Sequence, residues 1–399
     1  MRAIHVLMTL PFLSLAACGG SGGSTSGAVL SAGTAAPPAT GTGTGATPTP
    51  TPSTGATPTP TPPATSTPTP TPTPGPASQT DLFDVSAATV FDAVGAAQSL
   101  GVTKDGATLY VANASTVAVP TGTITYNPRD GIFTVALADP AANITRKVNF
   151  QDPAHRATVD QVRLGEYQVP LLAGFNYLEA LDSGAQFTFF YQRPTATGDF
   201  VSLAGFERSQ LDTNGMLNSE QGVMVFGTKT ATLQVPVKGV GRFEGEFLAT
   251  MVGREGGSAS ILQWMTGTSA VDVDFAKRTV GLSLSGLVSP AFSKNTTVND
   301  ASLAVPAGAI FSAVGSAGWA KAGSVFTGAF TSAEFRVGGQ VVPIDFTAVN
   351  SATNVAGASS IDGTFYGPDA KNIGGNFRIV GGVPNRRLDI LGAFAGAKK

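Results

Sequence analysis

The run TPTPTPSTGATPTPTPPATSTPTPTPTPGP, residues 47–76, decides what the first fifth of the chain cannot be. Proline at alternate positions removes backbone donors and fixes φ, so neither a helix nor a sheet ladder can propagate through it. An extended polyproline-type spacer is the conformation left, and at about 3.1 Å per residue it reaches on the order of 90 Å. From Gly19 to Thr80 no residue is charged, and Gly, Ser, Thr and Ala fill the part before the prolines. Such a segment has too little apolar surface to bury and serves as a stalk. Folding therefore has to begin near Asp81.

The start of the chain carries a different signal. Arg2 precedes an apolar run, Val6 to Leu15, that is too short to span a bilayer as a mature helix and reads as a secretory leader. Leu15-Ala16-Ala17-Cys18 then places the only cysteine directly behind small residues. This resembles the bacterial lipobox, whose cysteine becomes the acylated first residue after cleavage. The resemblance implies a leader over 1–17, a Cys-anchored stalk over 18–80, and no thiol left for a disulfide or for catalysis. Two or three acyl chains give stable anchorage to lipid, and Gly19 behind the cysteine implies the outer membrane.

Residues 81–399 are long enough for a substantial core and for two domains. Charged residues make up only 13% of the chain against 49 glycines, a balance that fits an extracytoplasmic all-β protein better than a helical one. The formal charge of −2 and the lack of a basic run argue against a nucleic-acid partner; Arg386-Arg387 has Asp389 beside it. The body repeats one theme, six to nine residues with β-branched or aromatic side chains in alternation and then Gly, Asn, Asp or Pro. In GTITYNPRDGIFTVAL, residues 122–137, Ile124 and Tyr126 lead into a turn at Asn127–Gly131 and out to Phe133, Val135 and Leu137, the signature of a hairpin. One window, DVSAATVFDAVGAAQSL at 84–100, has the spacing of a helix. A change of texture near Asn214–Gly222 divides the body into domains over 81–215 and 216–399. Many short strands joined by glycine turns point to a barrel or a sandwich.

Catalytic patterns are sparse. His155, in FQDPAHRATVD, has Asp152 and Asp160 nearby, but Arg156 competes for both carboxylates and the spacing matches no metal motif. No glycine-flanked nucleophile elbow is present. GVGRFEG, residues 239–245, looks like a phosphate loop but lies between strand signals and lacks the lysine-serine or lysine-threonine ending. Asp272 and Asp274 alternate with Val271, Val273 and Phe275 and read as the solvent face of a strand. No catalytic residue and no metal ligand set is assigned. Aromatic anchors point to binding instead: Phe175, Tyr177, Phe190 and Tyr191 crowd residues 173–197, and Trp264 and Trp319 are the large anchors elsewhere.

VFGTKTATLQVPVKGVGRFEGEF at 225–247, GTSAVDVDFAKRTVGLSLSG at 267–286, IDGTFYGPDAKNIGGNF at 361–377 and the closing LGAFAGAKK resemble successive strands of the barrel domain of the transferrin-binding protein B family of surface lipoproteins. The most specific part is the pattern of Gly363, Phe365, Tyr366, Gly367, Pro368, Ala370, Gly374, Gly375 and Phe377. The resemblance implies an all-β chain in which a handle-like β domain precedes an eight-stranded antiparallel β-barrel. It implies architecture for that pattern, with Phe365 and Phe377 inside the barrel, Tyr366 on the opposite face and Gly367-Pro368 opening the connection. It further implies a lipid-anchored protein at the cell surface, holding an iron-carrying protein or a small nutrient for a TonB-dependent transporter. An adhesin or envelope-structural lipoprotein is the alternative. Haem is a candidate ligand, with Tyr191, Tyr366 and His155 as candidate iron ligands; no other cofactor is expected.

Overall fold

The computed structural model describes residues 85–102, 108–116, 122–139, 144–151, 169–170, 172–193, 200–211, 217–254, 261–293, 296–298, 304–346, 349–350, 355–356, 358–383 and 386–399. The leader, the stalk with Cys18, and His155 with its neighbouring aspartates lie outside these residues. Two antiparallel sheets account for nearly all of what is described.

The first sheet contains β1 (Thr89–Val102), β2 (Thr108–Thr116), β3 (Gly122–Asn127), β4 (Ile132–Asp139), β5 (Ile144–Gln151), β6 (Phe175–Asp182), β7 (Ala185–Gln192), β8 (Val201–Leu211) and β9 (Leu217–Gly227). Their order is β5-β4-β3-β1-β9-β8-β7-β6, with β2 beside the second half of β1. The sheet curls around one face, so that Phe133 of β4 and Phe150 of β5 meet Phe189 of β7 at 5.9 and 5.6 Å between ring centroids. The expected hairpin at 122–137 is β3-β4, with Ile124, Tyr126, Phe133 and Val135 all buried and Gly131 at φ 62° in the turn.

Two expectations are corrected here. The helix expected over 84–100 is strand β1, whose Phe91 and Ala93 enter the core while Val90 stays out. Its backbone pairs with β3 on one side and β9 on the other, and those ladders override the helical spacing of its alanines. The expected domain change at 216 precedes β9, which pairs with β8 and β1; the sheets change between Gly227 and Val240.

The second sheet begins with β10 (Val240–Arg254), β11 (Ile261–Asp274) and β12 (Thr279–Val288), followed by the short β13 (Ala291–Ser293) and β14 (Thr296–Val298). It continues through β15 (Ile310–Trp319), β16 (Val325–Val337), β17 (Gln340–Pro343), the small ribbon β18 (Val349–Asn350) and β19 (Val355–Ala356), and ends with β20 (Ala358–Tyr366), β21 (Asn372–Val383) and β22 (Arg386–Lys398). Eight of these, in the order β10-β22-β21-β20-β16-β15-β12-β11, close on themselves because β10 also pairs with β11 along its whole length. This is an eight-stranded antiparallel barrel. Alternation fills the inside: Val280, Leu282 and Leu284 of β12 point inward, while Thr279, Gly281, Ser283 and Ser285 face out. Apolar residues inside and small polar ones outside is the reverse of a membrane-spanning barrel.

The 361–377 pattern is explained by this barrel. Phe365 and Phe377 are fully buried in its core, and Tyr366 points the other way. Gly363 faces Gly375 across β20 and β21, and a Cβ on Gly375 would stand 2.1 Å from the Asp362 carbonyl oxygen. Gly367 adopts φ 71° to leave β20, with the Phe200 ring against the space its side chain would need. The stretch that resembles a phosphate loop is the start of strand β10, and Asp272 is exposed on β11 as expected.

Candidate functional site

The outer face of β1, β7, β8 and β9 packs on the outer face of β10, β11, β20, β21 and β22. Phe190 is the centre of this joint. Its ring lies over Gly205, where a Cβ would come within 2.3 Å of it. Tyr177 stacks on it at 5.4 Å and 15°, and Trp264 of the barrel meets it edge-on at 5.8 Å. Phe175, Val201, Leu203, Val223, Val225, Leu248 and Tyr366 complete the apolar contact. Polar bonds cross the same joint: Asn376 Nδ2 donates to the Gly95 carbonyl at 2.8 Å, Gln192 Nε2 to Glu246 at 3.0 Å, and the Phe200 amide to Asn372 Oδ1 at 3.2 Å.

The sequence-expected site residues separate accordingly. Phe175, Tyr177, Phe190, Trp264 and Tyr366 come together, and the two domains cover each other there, leaving Phe190 of the first and Trp264 of the barrel 0% and 1% exposed. Tyr191 is elsewhere, inside the first sheet, with its hydroxyl accepting from Asn176 Nδ2 at 2.8 Å. Trp319 is half-buried at one end of the barrel, edge-on to Phe275 and Phe365. The Tyr177 hydroxyl donates to the Pro170 carbonyl at 2.6 Å and accepts from the Leu172 amide; burial raises its pKa and that amide bond lowers it again. The Tyr366 hydroxyl is enclosed without a hydrogen-bond partner, and burial, helped by the charge of Asp92, holds it protonated far above the usual range for a phenol.

A polar row that alternation alone did not reveal crosses the joint face of the first sheet. Glu179, Thr188, Glu207 and Gln221 stand directly opposite one another on β6, β7, β8 and β9. Thr188, Glu207 and Gln221 are buried, and Gln221 Oε1 has no hydrogen-bond donor. Ser209 donates to Glu207 at 2.8 Å, yet burial outweighs that bond and pushes the carboxyl up to about 7. Only the register of four strands puts these residues in line. Among the described residues no three His, Cys, Asp or Glu side chains gather as a metal site, and no helix is long and apolar enough to cross a membrane.

The described fold is thus two fused β domains, one of them a closed and side-chain-filled barrel. Residues 235–399, which include all eight barrel strands, match the family model for C-lobe and N-lobe beta barrels of Tf-binding protein B. That part of the chain is similar to the barrel domains of the transferrin-binding protein B family. Similar solved structures include transferrin-binding protein B from Haemophilus parasuis Hp5, at 14% identity and TM-score 0.33 over 70% of this chain and 54% of that one. The isotype 1 protein from serogroup B Neisseria meningitidis is 12% identical, with TM-score 0.28 over 73% and 60%. HpuA from Kingella denitrificans, solved in complex with human haemoglobin, is 12% identical, with TM-score 0.29 over 77% and 91%. The chain spans about half the length of the Haemophilus parasuis proteins. Identities this low carry no binding site across. No curated protein matches the chain.

Proposed function

We infer that this chain is a lipid-anchored lipoprotein of the outer membrane, displayed at the cell surface, which holds an iron-carrying protein or another scarce nutrient for a TonB-dependent transporter. The observation that carries the reading is the family match over the whole closed barrel. The lipobox-like Leu15-Ala16-Ala17-Cys18 supports the anchor, and the proline stalk supports display away from the membrane that holds it. The role inferred is binding, because the family that the barrel matches is one of binding proteins. A carried protein suits this scaffold better than free haem. For haem iron to reach the Tyr366 or Tyr191 hydroxyl, the joint or the core of the first sheet would have to open.

The test is recovery of the acylated protein from intact, lightly crosslinked cells grown without an added iron source, with partners identified by mass spectrometry. Stoichiometric recovery of a TonB-dependent transporter is the expected result. Recovery of envelope polymer or surface-layer protein with no transporter would transfer the assignment to an adhesin or envelope-structural lipoprotein.

A further inference from the structure

Six of the eight barrel strands are joined in pairs by tight hairpins at one end. Three tight hairpins, Phe275–Arg278, Ala320–Ser324 and Gly367–Lys371, lie there with the approach to β10 and the tail of β22. Each supplies at least one cation. The hairpins bring Lys277, Arg278, Lys321 and Lys371; the approach brings Lys238; the tail brings Lys398 and Lys399. The nearby acids are largely spoken for: Asp274 pairs with Lys277 at 3.0 Å, Asp272 with Arg242 at 3.2 Å, and Glu244 with Arg242 at 3.1 Å and Lys399 at 3.7 Å. Asp369 is the remaining carboxylate on the hairpins. Among the described residues no carboxylate pairs with Lys238, Arg278, Lys321, Lys371 or Lys398. Lys371 and Lys398 instead rest over the Phe200 and Phe275 rings at 5.6 Å.

The approach to β10 also exposes aliphatic side chains within this basic rim. Leu233 is 100% exposed, Val237 83% and Val240 78%. They stand on a fixed support, since the turn at Thr232–Gln234 is followed by Val235, which is buried in the barrel core.

A second observation concerns the tether. The described chain begins at Val85 and enters β1 at Thr89, and Asp92 of β1 pairs with Lys229 at 3.0 Å. Lys229 is bridged to Tyr366, the last residue of β20, which lies at the basic end. The described chain therefore enters the fold beside this end.

We propose that the hairpin end of the barrel docks on an anionic, phosphate-bearing lipid surface. The lysines meet headgroup phosphates while Leu233, Val237 and Val240 enter the interfacial layer. Lysine around bare aliphatics suits a lipid boundary; a protein partner selects Trp, Tyr and Arg at its contact centre. The rest of the charge distribution sets the orientation, because residues 81–227 hold fifteen acidic and eight basic side chains and are repelled by the same surface. The contact goes beyond the proposed anchoring and does not need acylation.

The test is flotation of the chain from residue 18 onward carrying Cys18→Ser, so that neither leader nor acyl chain contributes, with vesicles of phosphatidylglycerol and phosphatidylcholine or of phosphatidylcholine alone. Binding is expected with the anionic vesicles only and falls as salt rises. Lys321→Glu with Lys371→Glu is expected to weaken it by about tenfold or more, and Leu233→Ser with Val237→Ser to weaken it measurably without charge change. All four residues are exposed, so the circular dichroism of both variants stays that of the parent. Three results would overturn the proposal: no flotation with either vesicle, binding indifferent to both variants, or loss with the lysine pair alone. The last marks simple adsorption to a polyanion.

Discussion

Glu207 is the residue on which the stability of the joint turns with pH. Its carboxyl keeps its proton in the folded protein up to about 7, against an ordinary value of 4.5, because burial penalises the charge. A raised folded-state value means that the contribution is complete below pH 4.5 and is lost as pH rises through 7, a change on the order of 3 kcal/mol. Glu207→Gln is expected to remove most of that slope, which denaturant unfolding at a series of pH values between about 4 and 8 would detect. An unchanged slope would mean that the carboxyl is hydrated in solution. Tyr366 poses a similar question without the titration. Its hydroxyl is buried and unpartnered, so Tyr366→Phe should be neutral or stabilising by up to about 1–2 kcal/mol in urea unfolding, since a polar group that makes no bond is removed with its shape kept. A clear loss would show that the hydroxyl has a bound water in solution.

At the scale of elements, the strand pair β20-β21 shows how far a sequence can be read. Phe365 and Phe377 inside, Tyr366 outside and a break at Gly367-Pro368 follow from period-two alternation and the turn residues alone. The collision that makes Gly375 necessary does not, because the Asp362 carbonyl belongs to the neighbouring strand and is brought there by register. Gly375→Ala is expected to cost about 2–3 kcal/mol and to lower the unfolding temperature by several degrees, since backbone on both strands has to move. β1 marks the opposite limit. Alanines at helical spacing gave a helical signal, and only pairing with β3 and β9, both distant in sequence, made the segment a strand. Alternation divides the aromatic cluster at 173–197, with Phe187 and Phe189 on the core face and Phe190 on the other; what covers Phe190 was not legible, because a different domain supplies it. The lysines of the hairpin end were invisible for the same reason. They are spread over more than 150 residues, and the up-and-down order of the strands alone brings them to one rim.

For the molecule as a whole, the two sheets form a body in which the joint is as well packed as either core. Trp264, Phe190 and Tyr366 are each at most 1% exposed there, and a backbone carbonyl of β1 accepts from a barrel asparagine. Such a joint favours motion of the two domains as one body over independent motion of each. The order of strand pairing has a further consequence, for the birth of the protein. β1 needs β9 and β10 needs β22, so the barrel cannot close until its last strand, ending at Lys398, is available. Pairings of such long range form slowly, and a nascent chain built this way stays threadable until β22 has been made.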